Sequence, residues 1–76
     1  MKLDDLKDRI ESLANVVLFD YKSKPCGIDP MNHSHYDMWY GDELIIAKSI
    51  EEVMTVKLFD NQSLTDIYDN IENLED

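Results

Sequence analysis

A Gly-Asp pair at positions 41 and 42 constrains the fold of this chain more than any other short feature. The pair separates two runs, YDMWY and ELIIA, that are rich in aromatic and branched residues. Gly-Asp between such runs is typical of the two-residue loop of a β-hairpin. The sequence therefore predicts an antiparallel hairpin over residues 36–47, in which Trp39 lies opposite Leu44.

This register divides the hairpin into two faces, because directly opposed residues share a face of a sheet. The cleaner core face carries Tyr36, Met38, Ile45 and Ala47. The other face carries Asp37, Trp39, Leu44 and Ile46, a mixture that indicates a face either partly covered or used for interaction. Trp39, the only tryptophan, is accordingly either a core residue or a binding anchor.

Apolar spacing and capping signals predict the other elements. Apolar residues three and four apart predict a helix over residues 2–14 with Asn15 as its C-cap, and VVLFDY predicts a strand over residues 16–21. A Ser followed three residues later by an acid begins a helix at Ser49 and another at Ser63. The last helix is extended by a stripe of apolar residues at Leu64, Ile67, Ile71 and Leu74.

Two segments are harder to assign. Residues 22–34 hold both prolines and one of the two glycines, so we interpret them as a long connection between strands. It is either a functional or mobile loop or, as the favoured interpretation, a long hairpin arm whose Ile28 and Met31 return to the core. Residues 55–59 either continue the helix that begins at Ser49, to about Lys57, or form a short strand. The predicted order is α-β-β-β-α-α, a single α+β domain over residues 1–76 with a small three-stranded antiparallel sheet packed by helices.

The charge balance favours some partners and argues against others. Seventeen acidic against seven basic residues give a formal net charge of -10, which argues against direct binding to nucleic acid and to anionic membranes. A basic surface on a partner protein fits this charge. A single Cys fits a reducing compartment, and no apolar run approaches the roughly 18 residues of a membrane span. We expect a cytoplasmic protein.

The strongest candidates for chemistry are Cys26, His33 and His35. They could contribute to a metal site with nearby carboxylates, or Cys26 and one His could form a nucleophile–base pair. The ligand set is incomplete, however, and no further cluster completes it. We therefore expect no metal, no cofactor and no enzymatic activity, with metal binding as a remote third option.

The outer side of the predicted last helix is the preferred partner-binding surface. It would carry Asp66, Asp69, Glu72 and Glu75, to which we add Trp39 and Tyr40 as aromatic contacts. These residues predict a non-enzymatic acidic accessory or inhibitor protein that binds a basic surface of a partner protein. The alternative is a housekeeping interaction domain that uses the Trp39 face or the 22–34 loop. The sequence does not predict the oligomeric state.

Three runs, WYGDE, SIEEVM and LFDNQSLTDI, resemble the C-terminal halves of short acidic proteins of Gram-positive bacteria and their phages. The resemblance covers about half of the chain. It implies a phage or mobile-element context and assigns no catalytic residue. The resembling sequences favour Gly before the final Ser-Leu, where this chain has Asn61-Gln62.

Overall fold

A five-stranded antiparallel sheet and three short helices form two layers in the computed structural model, which describes residues 2–75. The sheet has the strand order β4-β3-β2-β1-β5. In chain order the elements are α1 (Leu3–Glu11), β1 (Val17–Tyr21), β2 (Lys24–Asn32), β3 (His35–Tyr40), β4 (Glu43–Ala47), α2 (Ile50–Thr55), α3 (Leu64–Ile67), a 3-10 turn (Tyr68–Asn70) and β5 (Glu72–Glu75).

The predicted hairpin is confirmed with its register. β3 pairs with β4 from Tyr36 opposite Ala47 to Tyr40 opposite Glu43, and Trp39 lies opposite Leu44. Gly41 has a φ of 59°, which suits the first position of a type II′ turn and which glycine adopts without strain.

The predicted three-stranded sheet is wrong, and so is a loop over residues 22–34. The alternative of a hairpin arm is closer to the structure, because Ile28 is buried in the core, but Met31 is exposed. Most of that segment forms β2, which lies in the middle of the sheet between β1 and β3. Lys22 and Ser23 make a two-residue turn with φ values of 52° and 64°. This is the conformation of a type I′ turn, which Asn and Gly usually supply. Because neither residue is Asn or Gly, the turn left no recognisable signal.

Both prolines fit a central strand because each lies where a ladder ends. Pro30 lies two residues beyond Ile28, the last residue of β2 that pairs with β1. Pro25 lies one residue beyond Cys26, the last residue of β2 that pairs with β3, and its carbonyl accepts a hydrogen bond of 2.8 Å from the Gly41 N–H. A missing N–H at these positions therefore removes no interior ladder bond.

The predicted C-terminal helix is also wrong beyond its first turn. Ser63 and Asp66 form the capping box that begins α3, but α3 ends at Ile67, and β5 pairs antiparallel with β1. Acids beyond the first turn gain nothing from the helix dipole, whereas the free edge of β1 offers backbone hydrogen bonds. The apolar spacing of the segment alone could not distinguish the two outcomes.

The other helices begin as predicted and end earlier. α1 ends at Glu11 with Ser12 as its C-cap rather than Asn15, and Leu13 has a φ of 61°. α2 ends at Thr55, and neither alternative for residues 55–59 is right, because an irregular segment follows. Leu58 and Phe59 of that segment are buried.

The core lies between the helices and one face of the sheet. The sheet contributes the buried side chains of Val17, Phe19, Tyr21, Cys26, Ile28, Tyr36, Met38, Tyr40 and Ala47. The helical layer contributes Leu6, Ile10, Ile50, Val53, Met54, Leu64 and Ile67. Within residues 2–75, no helix has the length and apolar character to cross a membrane.

Candidate functional site

One face of the sheet packs against the helices, and the opposite face carries the side chains at the alternate strand positions. We call this second surface the open face. The strand register aligns Leu44, Trp39, Gly27 and Leu18 in one row across four strands. A neighbouring row contains Ile46, Asp37 and Asp29. Pro25 and Asp20 oppose each other on the far side of the first row.

Most of the exposed large apolar side chains of the described chain, three of five, belong to this face. Leu44 is 67% exposed, Ile46 is 50% exposed and Leu18 is 40% exposed. The other two such residues in the described chain are Val16, which precedes β1, and Met31, which lies where the β2–β3 register shifts. Single exposed apolar residues are ordinary, but a group on one face indicates an interaction surface.

Trp39 lies flat on the backbone of Gly27 at the centre of the open face. A Cβ atom added to Gly27 would come within 2.1 Å of Trp39 Cζ2, so the glycine leaves the space that the indole fills. The ring therefore extends over β2 and away from β4. Leu44, although directly opposite Trp39 in the hairpin, stays exposed for this reason.

Carboxylates surround the apolar residues of the open face. Asp29 and Asp37 oppose each other directly across the β2–β3 ladder, an arrangement that costs stability because like charges repel. His35 Nε2 lies 2.9 Å from Asp37 Oδ1. Asp20 Oδ2 accepts a hydrogen bond of 2.8 Å from Asn73 Nδ2. At the strand positions that define the open face there is no Lys or Arg.

A shallow depression of about 270 Å³ lies beside Trp39 on this face. Its exposed wall includes Leu18, Asp20, Pro25, Trp39, Asn73 and Glu75. The depression is open to solvent along the sheet, so it suits a protruding side chain of a partner better than an enclosed small molecule.

The residues predicted to bind a partner do not form one surface. Tyr40 is buried on the core face, where its ring packs against Tyr21 and Phe59, and Trp39 faces the other way. Asp66 caps α3 and pairs with Lys57, whose Nζ donates to Asp66 Oδ2 at 3.0 Å. Asp69 is on the 3-10 turn, and Glu72 and Glu75 are on β5.

Asp66 is ionised down to low pH because of these contacts. The Ser63 N–H donates to its carboxylate at 3.0 Å. This backbone hydrogen bond, followed by the one from Lys57, lowers the pKa of Asp66 to about 2. The negative charge of Asp66 is therefore already used in the cap of α3.

The structure does not bring Cys26 together with either His. Cys26 lies opposite Tyr40, five residues along β3 from His35, a separation of about 16 Å. Burial raises the pKa of the Cys26 thiol to about 11, so it is protonated at neutral pH. His33 Nε2 lies 3.0 Å from the Glu11 carbonyl oxygen. Among the described residues, no three His, Cys, Asp or Glu side chains are grouped to hold a metal ion.

Sequence reasoning identified the Trp39 side of the hairpin but missed what the rest of the chain adds to it. Gly27 and Leu18 complete the central row, and Asp29 completes the acidic pair. A signal was present in β2, where Cys26, Ile28 and Pro30 alternate with Pro25, Gly27 and Asp29 in the period of a strand. The two prolines obscured it.

No family model matches this sequence, and no curated protein and no solved structure is significantly similar to it.

Proposed function

We propose that this protein is a non-enzymatic interaction protein whose open face binds a partner protein with a basic surface. The observation that carries the proposal is the distribution of exposed side chains. Three of the five exposed large apolar residues in the described chain, Leu18, Leu44 and Ile46, share one face of the sheet, and that face also holds Asp20, Asp29 and Asp37. Apolar anchors bounded by charge are typical of protein-binding surfaces.

The sign of the charge selects the class of partner. Asp29 and Asp37 lie directly opposite each other across the β2–β3 ladder, where like charges repel. A Lys or Arg side chain placed over these carboxylates would relieve the repulsion. The net charge of -10 would also steer a basic partner during diffusional encounter.

The role that follows is that of an accessory or inhibitor protein, which occupies a basic surface of its partner. The acids of α3 and β5 belong to separate elements, and we no longer expect them to act as one row. The alternative binding surface over residues 22–34 contributes to the proposed site only through the β2 side chains on the open face. A phage or mobile-element origin remains a prediction from the resemblance.

The test is a quantitative comparison of matched charge variants. A partner recovered from the native host by affinity capture is purified, and its dissociation constant is measured against the wild type at several salt concentrations. The double variant Asp29→Asn/Asp37→Asn should weaken binding about tenfold or more and reduce its salt dependence.

The matched control is Asp4→Asn/Asp8→Asn, which removes the same charge from α1 on the opposite layer. Equal effects of the two double variants would show that only the total charge matters and would overturn the open face as the binding surface. Trp39→Ala tests the apolar part of the surface, and unchanged affinity in that variant would count against the central row.

A further inference from the structure

The two edges of the sheet differ in how they are protected. β5 is short, its register with β1 shifts between Leu18 and Asp20, and Asn73 within it has a φ of 55°. Two of its residues, Glu72 and Glu75, are charged. Irregularity, charge and shortness are the features that prevent an edge strand from pairing with another chain.

β4 is only one residue longer than β5, but it lacks the irregularity and carries a charged residue only at Glu43. It pairs with β3 without a register shift, and between Glu43 and Ala47 it contains neither Lys nor Pro. Leu44 and Ile46 are at least half exposed. A regular, apolar and exposed edge of this kind is a template for strand addition.

The hairpin register identifies the backbone groups that this edge offers. Tyr40 and Glu43 close the two-residue turn and form a hydrogen-bonded pair, and bonded and non-bonded pairs then alternate along the ladder. Leu44 and Ile46 are in non-bonded pairs with β3, so their N–H and C=O groups point away from the sheet. Among the backbone–backbone hydrogen bonds that residues 2–75 make outside the helices and the strand ladders, none involves Leu44 or Ile46. The Lys48 N–H, at the end of the edge, donates to Glu52 at 2.7 Å.

We infer that β4 accepts an extended, arginine-bearing segment of the partner as a sixth, antiparallel strand; this inference rests on the proposed function of the open face. In an antiparallel pair, the residue opposite Ile46 lies in the row that also contains Asp37 and Asp29. An arginine at that position extends its apolar stem over Ile46 and its guanidinium toward Asp37. An arginine opposite Leu44 points toward Trp39 in the same way.

A second copy of the chain fits this edge poorly. Each copy has a net charge of -10, and pairing β4 with β4 would bring two acidic open faces together without a cation at their strand positions. Charge complementarity therefore favours a basic segment from another protein over self-association.

The experiment uses a synthetic peptide in which arginine and threonine alternate, acetylated and amidated at its ends, with ¹⁵N-labelled protein. In the antiparallel arrangement, the arginines over the open face are also the residues whose N–H groups point toward β4. N-methylation of those arginines should weaken binding about tenfold or more. N-methylation of the threonines, whose N–H groups point away, should leave the affinity unchanged and serves as the matched control.

The protein supplies a second measurement. Binding of the unmodified peptide should slow hydrogen exchange at the amides of Leu44 and Ile46. Ile46→Pro removes an N–H that takes no part in the β3 ladder and should weaken binding about tenfold. Ile46→Ala, which keeps that N–H, should weaken binding less. If Ile46→Pro fails to fold, the two methylated peptides still decide the question.

Any other result overturns the inference of strand addition. The results also show whether the proposed function of the open face fails with it. Strand addition is ruled out if the two methylated peptides bind equally, or if the unmodified peptide does not bind. If binding then still falls in Asp29→Asn/Asp37→Asn, the open face stands as the binding surface and only the mode is wrong. Concentration-dependent dimerisation that protects Leu44 and Ile46 would identify a second copy as the occupant and would also overturn the inference.

Discussion

At the scale of single residues, the contact between Trp39 and Gly27 does most to shape the open face. The absence of a side chain at Gly27 lets the indole lie on the backbone of β2, which partly buries a large aromatic ring on the side of the sheet that has no helices. Glycine weakens a strand when nothing covers it. The tryptophan is therefore both a stabilising cover and the largest side chain that a partner would meet.

This contact predicts a strong coupling between the two residues. Gly27→Ala places a methyl group where the indole lies, so we expect the free energy of unfolding to fall by about 1–3 kcal/mol and the tryptophan fluorescence to shift to the red. In the background of Trp39→Ala the clash is gone, and the same Gly27→Ala change should be neutral or stabilising. Denaturant unfolding of the four proteins measures the coupling. Additive effects would show that the ring does not rest on Gly27.

The lowered pKa of Asp66 predicts that the capping box of α3 contributes to the pH dependence of stability. Its pKa is lowered to about 2 from an ordinary 3.8, so its contribution to stability is complete above pH 4 and is lost as the pH falls through 2. We expect the thermal midpoint to decrease less between pH 4 and pH 2 in Asp66→Asn than in the wild type. Asp69→Asn, an exposed acid outside the cap, is the control and should keep the wild-type slope.

At the scale of elements, the turn between β1 and β2 carries unfavourable backbone conformations. Ser23 has a φ of 64°, which glycine adopts without a Cβ penalty. Ser23→Gly should raise the free energy of unfolding by about 0.5–1 kcal/mol. Ser34, in the turn between β2 and β3, has no positive φ, so Ser34→Gly should be neutral or destabilising. Chemical denaturation of both variants checks the contrast, and equal effects would contradict it.

The elements that sequence could predict are those whose signal is local. Gly41-Asp42 determined the hairpin and its register, and the capping boxes at Ser49 and Ser63 located two helix starts. The failures share a physical cause, since tertiary pairing overrode local preference. Pro25 and Pro30 indicate a loop until the ends of the neighbouring ladders are known. The residues Leu64, Ile67, Ile71 and Leu74 have helical spacing, but Ile71 precedes β5 and Leu74 lies within it, so neither continues α3.

The candidate site was half predictable for the same reason. The hairpin pattern alone placed Trp39, Leu44 and Ile46 on one face. Their neighbours on β1 and β2 come from a strand pairing whose local signal, the alternation in β2, was obscured by the two prolines. Tyr40 was assigned to the same surface as Trp39, but adjacent strand residues point to opposite faces, and Tyr40 is in the core.

At the scale of the whole molecule, the excess of acids opposes the folded state. A net charge of -10 on 76 residues implies self-repulsion that salt should screen, because the Debye length falls from about 10 Å at 0.1 M to about 3 Å at 1 M. The thermal midpoint should therefore rise between these concentrations of sodium chloride. The variant Asp8→Asn/Glu11→Gln has two fewer exposed carboxylates, so salt should raise its thermal midpoint less than that of the wild type. A midpoint that falls with salt would show that attractive ion pairs dominate instead.

The position of β5 next to β1 has a consequence for the folding route. β1 to β4 are joined by tight turns and can assemble one hairpin at a time, whereas the hydrogen bond between Asn73 and Asp20 closes a separation of 53 residues. Closing so long a loop costs chain entropy before any contact is gained. We therefore expect β5 to dock last and to detach first, with Leu18 and Asp20 of β1 losing their outer neighbour while β2 and β3 remain paired. Native-state hydrogen exchange should resolve this as a partial opening at lower free energy than global unfolding.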